Sequence, residues 1–153
     1  MTDAARSAQM ARIRAKNTKP EMRVRRFLHA AGLRFRLHAR SLPGTPDMVF
    51  PSRRVAVAVR GCFWHRHPDP GCKLARLPKS RLDFWLPKLE GNRERDLRQE
   101  AELAAMGWTL HVIWECQVGD EDRLNGLACA IREASVTDLR FRHPKSGRPP
   151  ARP

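Results

Sequence analysis

The sequence predicts a single mixed α/β domain with the element order helix, three strands, helix, strand, helix. The chain has 153 residues, enough for one compact core but too few for two domains of usual size. Short runs with apolar residues at alternate positions predict strands, and longer segments with apolar residues three and four positions apart predict helices.

The first firm element is a helix that begins at Thr18. Thr18 supplies the N-cap, Pro20 lies in the first turn, and Glu21 occupies the capping-box position. Gly32 provides the stop. The apolar positions have helical spacing: Val24, Phe27, Leu28 and Ala31.

Three short strands and a long helix follow. The strands are R-F-R-L, then D-M-V-F, then V-A-V-A-V, which ends at Arg60, and turn-rich segments separate them. The helix is expected from about Lys79 to Met106, opened by Ser80, with a kink near Pro87 and Gly91.

The last two elements are a strand and an amphipathic helix. Gly107 ends the long helix, and W-T-L-H-V-I-W alternates bulky groups as a strand does. In the final helix the inward positions are Leu124, Leu127, Ala128 and Ile131. Cys129 lies between two alanines and is assigned to the core.

The two ends of the chain differ in composition from the middle. Residues 1–17 are polar and Arg-rich, which fits either a mobile arm that orders on a partner or a solvated terminus. The compact domain is placed at 18–135. The tail, 136–153, is basic and Pro-rich and is expected to be disordered.

Charge and targeting signals limit the function classes. Lys and Arg number 30 against 16 Asp and Glu, giving a net charge of +14 and a pI near 11.2. A polyanion is the first partner to consider, although charge alone does not choose between nucleic acid, acidic lipid and acidic protein. Without a long apolar run or a signal-peptide pattern, neither membrane nor export is indicated, and a cytoplasmic location is expected.

A cysteine- and histidine-rich loop predicts a metal site. Cys62, His67 and Cys72 give C-x4-H-x4-C, and Cys116 after the last strand is the best fourth ligand. In a reducing compartment such cysteines are more often ligands or buried thiols than disulfides. Four protein ligands leave no open position, so a zinc ion here would be structural. The spacing leaves open the swap in which His65 binds the metal and His67 is free.

A second site is predicted at the edge of the sheet. Asp47 starts a strand, and the next strand ends beside it. Strand ends of this kind hold Mg2+ through a carboxylate and a backbone carbonyl, although a lone Asp after a proline is more often a turn former. His65 is suited to act as a general base beside such a metal.

Large aromatic side chains flank the metal-like loop. Phe63 and Trp64 are adjacent, so in an extended loop they do not face the same core, and Phe84 and Trp85 repeat the pattern. They either pack over a small zinc loop or form an apolar wedge that enters a base stack. By themselves the residues indicate a basic, metal-dependent protein acting on nucleic acid, with hydrolysis favoured. In this interpretation Glu21 only caps a helix and Asp96 is a solvated helix charge.

Five motifs together resemble one protein family. The segments L-P-G-T-P-D, G-C-F-W-H-x-H, F-W-L-x-K, N-x-E-R-D and G-W-x-x-x-V-I-W-E-C occur in register between about Met10 and Val118. This pattern resembles the very short patch repair (Vsr) endonucleases, and several motifs in order are far more specific than any one. The resemblance implies a restriction-endonuclease-like core, a mixed sheet flanked by helices with a structural zinc loop.

The resemblance also implies a reaction and its partners. Members of the family nick double-stranded DNA 5′ to the thymine of a T:G mismatch that arises from 5-methylcytosine deamination. The expected setting is a monomer that works beside a cognate cytosine methyltransferase and a repair polymerase and ligase, with catalytic Mg2+ and structural Zn2+ as cofactors. The N-terminal arm would clasp the minor groove.

Residue roles follow by position in the motifs. Asp47 and the carbonyl of Val59 resemble the Mg2+ site, His65 the catalytic histidine, and Glu21 and Asp96 the supporting acidic residues. The zinc ligands are matched by Cys62, His67, Cys72 and Cys116, and the DNA wedge by Phe63, Trp64 and Trp85.

Arg60 departs from the family pattern. The family usually carries His or Asp before G-C-F-W-H. Arg60 cannot ligate a metal, but it can supply a fixed positive charge at the phosphate. Alternatively it contacts the DNA backbone or a carboxylate such as Glu115. Two rival functions remain: a zinc-stabilised DNA-binding protein of this fold without cleavage, and a related nuclease with another mismatch or site specificity.

Overall fold

The structure, a computed structural model, describes the backbone of residues 16–141 and the side chains of residues 16–134. The predicted order of helices and strands is confirmed. The helices are α1 (Lys19–Ala30), α2 (Leu82–Ala105) and α3 (Glu121–Phe141), and the strands are β1 (Arg36–Leu37), β2 (Met48–Phe50), β3 (Val55–Arg60) and β4 (Thr109–Trp114). Thr18 is the N-cap of α1 and accepts a hydrogen bond from the backbone N–H of Glu21.

The four strands form one mixed sheet in the order β1-β2-β3-β4. The first two pairings are antiparallel, whereas β3 and β4 are parallel and are joined through α2. A parallel pair needs such a long crossover, and both of its strands end at the same edge of the sheet. Arg60 lies opposite Trp114 at that edge, so the segments that follow β3 and β4 leave the sheet side by side.

The hydrophobic core lies on both faces of the sheet. Met48 and Phe50 belong to one buried cluster and Val49 to the other, because successive strand residues point to opposite faces. The larger cluster joins the sheet to α1 and α3: Val24, Leu28, Leu33, Met48, Phe50, Val55, Val57, Ile113, Leu124, Leu127, Ala128 and Ile131. The smaller cluster includes Leu103 of α2.

Helix α2 differs from the prediction at its start. Its N-cap is Arg81, with φ of 58°, and not Ser80, and no side chain caps it. It is one continuous helix through Pro87 and Gly91, the two positions at which a kink is predicted. Pro87 lies in the second turn, so its missing N–H leaves only the carbonyl of Asp83, an exposed residue, without its helical partner.

One expectation for the C-terminal part is corrected. Helix α3 is described through Phe141, and the domain boundary expected at residue 135 stays a prediction. Cys129 is exposed and does not belong to the core, because it lies about 100° around the helix from buried Ala128.

The arm predicted at residues 1–17 lies outside the described residues except for Lys16 and Asn17, and so does the tail beyond Phe141. Among the helices that the structure describes, none is both long enough and apolar enough to cross a membrane.

Candidate active site and metal centre

A cavity of about 610 Å³ opens where β2 begins and β3 ends. Residues from several elements line it, and α2 supplies part of one wall. Six lining residues carry the chemistry considered below: His38, Asp47, Val59, Arg60, His65 and Asp96. The cavity therefore brings together Arg60, one histidine that sequence reasoning missed, His38, and four of the predicted site residues: Asp47, Val59, His65 and Asp96.

Asp47 is fixed by the antiparallel pairing of β2 and β3. Met48 pairs with Val57, so the residue before β2 falls beside the end of β3. The backbone N–H of Val59 donates to Oδ2 of Asp47 at 2.7 Å. Burial, together with a hydrogen bond to Glu21, raises the pKa of Asp47 to about 7, although the Val59 N–H works in the opposite direction.

Glu21 does more than cap a helix. Its carboxylate accepts from the backbone N–H of Asn17 and from Arg25, and the side chain is only 2% exposed. The predicted capping box is therefore half correct, because Thr18 caps Glu21 but Glu21 bonds the N–H of Asn17 and not that of Thr18. Burial favours a higher pKa for Glu21, but hydrogen bonds with Asp47 and His38 and the charge of Arg25 outweigh it and lower the pKa.

His38 is the residue that sequence reasoning missed. It follows β1 directly, and its Nε2 lies 3.1 Å from Oε1 of Glu21. Ligand atoms of Glu21, His38 and Asp47 all lie within 4.8 Å of one another. The only sequence signal was a histidine a few residues before L-P-G-T-P-D, at the end of a strand that pairs with the strand of Asp47.

His65, which is partly exposed, pairs with buried Asp96. Nδ1 of His65 lies 2.6 Å from Oδ2 of Asp96. Because a carboxylate only accepts, Nδ1 carries the proton and Nε2 is left to accept one. Asp96 is 7% exposed, so the interpretation of this residue as a solvated helix charge is wrong.

The second cluster brings together the four residues predicted as zinc ligands. Ligand atoms of Cys62, His67, Cys72 and Cys116 lie within 4.8 Å of one another, with Cys116 Sγ 3.5 Å from His67 Nδ1. The sheet explains why they meet, because Cys62 and Cys116 each lie two residues beyond the paired ends of β3 and β4.

The chemistry of this cluster fits a soft divalent ion. All four cysteines of the chain are free thiols. Burial raises the pKa of the Cys62 thiol to about 12, so a thiolate at that position needs a compensating positive charge. Three sulfurs and one imidazole are the donor set of closed zinc sites.

The left-handed backbone of Arg66 separates the two histidines. Arg66 has φ of 55°, a conformation that turns the chain between neighbours. As a result His65 faces Asp96, while His67 faces Cys116 and stacks on Trp114 with ring centroids 4.4 Å apart. The geometry thus places His67, and not His65, in the cysteine cluster.

The aromatic residues form one cluster. Phe63 and Trp64 contact each other edge to face, and both contact Trp85, with centroids 5.2 to 6.0 Å apart. The expectation that Phe63 and Trp64 would not share a packing surface is wrong, because the loop turns at residues 62–66. Trp85 is buried, the rings of Phe63 and Trp64 are half-buried, and Phe84 is 47% exposed.

Arg60 has an acidic partner in the cavity wall. Its Nη1 lies 2.6 Å from Oε1 of Glu100 on α2. A carboxylate contact was one of the two predicted roles, but Glu115 was the wrong partner, because β3 ends facing α2. The cavity therefore gains no net charge from Arg60.

Comparisons with known proteins agree with this geometry. A family model described as DNA mismatch endonuclease Vsr matches residues 1–70. The Type II nicking enzyme V.XorIIP of Xanthomonas oryzae pv. oryzae is 59% identical over 111 residues, covering 72% of this chain and 79% of the relative. The Type II nicking enzyme V.NmeAIP of Neisseria meningitidis is 39% identical, covering 87% and 96%. The DNA mismatch endonuclease Vsr of Escherichia coli is 38% identical, covering 84% and 81%.

The mixed α/β fold, the carboxylate and imidazole cavity, and these relatives define the class of protein as a DNA endonuclease. Because the relatives match over most of their length and of this chain, the assignment does not depend on the N-terminal match alone. The chain belongs to the Vsr family.

Proposed function

We propose that this protein nicks duplex DNA 5′ to the thymine of a T:G mismatch left by deamination of 5-methylcytosine. The observation that carries the proposal is the cavity that Asp47, beside the end of β3, shares with the His65–Asp96 pair. A carboxylate at the edge of a mixed sheet with helices on both faces suits a restriction-endonuclease-like core.

Asp47 and the carbonyl of Val59 would hold Mg2+. The residues fit, because a carboxylate oxygen of Asp47 and the backbone carbonyl oxygen of Val59, which lie together in the cavity, are the oxygen ligands that Mg2+ prefers. When bound there, Mg2+ would polarise the scissile phosphate and stabilise the leaving oxygen. Glu21 forms a hydrogen bond with this carboxylate.

His65 is the proposed general base. Asp96 fixes the tautomer by accepting a hydrogen bond from Nδ1–H, so that Nε2 takes the proton of the attacking water. A base held in this way needs no rearrangement when the phosphate arrives.

The cysteine cluster would hold a structural zinc ion. With four protein ligands the site is closed to substrate. It begins at Cys62, three residues before His65, so closing the cluster fixes the loop that carries the base. The zinc ion is therefore proposed to stabilise the fold and to take no part in the reaction.

Phe63 and Trp64, supported by buried Trp85, are the proposed wedge. Inserting rings into a base stack costs a few kcal/mol per step, and less at a weakened mismatch. The charge of +14 supplies attraction to phosphate. We expect residues 1–17 to clasp the minor groove, and the protein to act as a cytoplasmic monomer beside a cytosine methyltransferase, repair polymerase and ligase.

A panel of labelled duplexes carrying every mismatch in several sequence contexts tests the proposal. The expected result is Mg2+-dependent nicking 5′ to the thymine of T:G, abolished by Asp47→Ala with mismatch binding retained. Nicking of matched duplex or of other mismatches at the same rate would assign a different specificity. Binding without nicking under any divalent ion would identify a DNA-binding protein of this fold.

A further inference from the structure

His38 is placed as a metal ligand would be. Its Nε2 lies 3.1 Å from Oε1 of Glu21, and both atoms lie within 4.8 Å of a carboxylate oxygen of Asp47. Around an octahedral ion with bonds of about 2.1 Å, adjacent ligand atoms are about 3.0 Å apart and opposite ones about 4.2 Å. A small inward movement of these side chains would therefore complete three positions around one ion.

The backbone holds His38 in this place under strain. Its φ is 46°, in the left-handed region that few residues other than glycine adopt. The N–H of His38 donates to the carbonyl oxygen of Asp47 at 3.0 Å, so the backbone is tied to Asp47 while the ring meets Glu21. Strain of this kind persists where the surrounding structure fixes it, often at a functional site.

Arg25 is the cationic neighbour of the cluster. Its Nη2 bonds Oε2 of Glu21 and lies 3.2 Å from Nε2 of His38. The Oε1 atom of Glu21 is therefore the oxygen that faces His38. The charge of Arg25 weakens the binding of every divalent cation alike, so the choice between ions depends on the ligand atoms.

We infer that His38 is a nitrogen ligand of the active-site divalent cation, together with Asp47 and Glu21, and that it makes the site prefer Mn2+ and related transition ions over Mg2+. Imidazole suits transition ions, whereas Mg2+ prefers oxygen ligands. The inference rests on the proposed function for the presence of a cation at Asp47.

Binding of Mn2+ and Mg2+ without DNA tests the inference. The full chain, loaded with zinc, is titrated with Mn2+ while electron paramagnetic resonance measures the free ion, and Mg2+ affinity is obtained by competition. His38→Gln keeps an oxygen ligand and an N–H donor toward Glu21 but removes the nitrogen ligand. Affinity for Mn2+ should fall about tenfold or more, and affinity for Mg2+ by less than about threefold.

Two further variants control the test. His29→Gln removes an exposed imidazole from the last turn of α1 and should leave both affinities unchanged. His38→Asn serves as a second variant, since asparagine adopts positive φ readily, and it should lower the ratio of Mn2+ to Mg2+ affinity in the same way.

An unchanged ratio in both His38 variants, with thermal unfolding as in wild type, overturns the inference. Asp47→Ala separates this failure from failure of the proposed function. If Asp47→Ala loses both ions and nicking while the His38 variants keep the wild-type ratio, only the role of His38 is wrong. If Asp47→Ala binds Mn2+ and nicks DNA as wild type does, the proposed metal site is wrong, and the inference fails with it.

Discussion

The pairing of His65 with Asp96 gives a rate prediction for Asp96→Asn. The carboxylate is buried and accepts a charge-assisted hydrogen bond of 2.6 Å from Nδ1 of His65. Such a bond is worth about 1.5–3 kcal/mol. An asparagine turned so that its NH2 donates to Nδ1 would place the imidazole proton on Nε2, the atom that must accept one. Since about 1.4 kcal/mol is a factor of ten, single-turnover nicking should slow by roughly 10- to 150-fold.

The assay separates chemistry from binding. Nicking of a labelled T:G duplex is followed with enzyme in excess and Mg2+ saturating, and the Kd for the same duplex is measured in Ca2+. Glu94→Gln is the matched control, because it removes one carboxylate from an exposed position on α2, two residues away. We expect the Kd to change by less than about twofold in both variants. If Asp96→Asn nicks as fast as Glu94→Gln, Asp96 does not orient the base.

Four further predictions concern metal, zinc, wedge and charge. Burial raises the pKa of Asp47 to about 7, so protons compete with Mg2+ for this carboxylate. The Mg2+ concentration that gives half-maximal nicking should therefore rise about tenfold for each pH unit below 7; a half-maximal concentration that does not change with pH contradicts this. Cys72→Ser should release about one zinc per chain by metal analysis and lower Tm; an unchanged zinc content refutes the ligand set. Trp64→Ala should reduce T:G preference over matched duplex about tenfold in competitive nicking, which is about 1.4 kcal/mol out of the few kcal/mol that unstacking costs per step. Arg60→Ala leaves the carboxylate of Glu100 without this partner in the cavity, so nicking at saturating DNA should slow, and Arg60→His should restore it with a steeper Mg2+ dependence; wild-type behaviour of both removes Arg60 from the chemistry.

In metal-free protein the raised pKa of Asp47 makes the folded state less stable as pH rises, whereas Mg2+ binding becomes stronger as pH rises. The fold favours the protonated acid, so this contribution is complete below the unfolded value of 3.8 and is lost as pH rises through about 7. Glu21, whose pKa is lowered, contributes stability that is present at higher pH and is lost on acidification through its folded value. The two carboxylates therefore oppose each other, and Mg2+ should stabilise the protein most at neutral pH and above, as followed by Tm at several pH values.

Local patterns in the sequence predicted the elements but not the pairs across them. Periodicity placed both the helices and the strands, because it records which face each element buries. The prediction that Ser80 opens α2 was wrong, because Arg81, in the left-handed backbone conformation, is the N-cap of this helix. The assignment of Cys129 to the core was also wrong, because neighbouring residues of a helix point in directions about 100° apart, and Cys129 is exposed although Ala128 is buried.

The site was predicted unevenly for a physical reason. Cys62, His67 and Cys72 are close in sequence, so their spacing alone indicated a metal loop. Asp96 lies 31 residues from His65 and Glu100 lies 40 from Arg60, so these contacts depend on how α2 packs against β3. Asp96 was reached only through the family motif, whereas the pairing of Arg60 with Glu100 and the place of His38 required the structure.

The end of β3 couples the two candidate centres. Within seven residues, the N–H of Val59 holds Asp47, Arg60 bonds Glu100, Cys62 enters the cysteine cluster and His65 meets Asp96. Because Val59 and Arg60 pair with β4, the last residues of β3 cannot shift without breaking ladder hydrogen bonds. Closing the cysteine cluster ties the next segment to the end of β4. The proposed base, His65, would thereby be fixed relative to Asp47 from both ends of a short loop, so loss of the proposed structural zinc should reduce nicking even where the rest of the sheet remains folded.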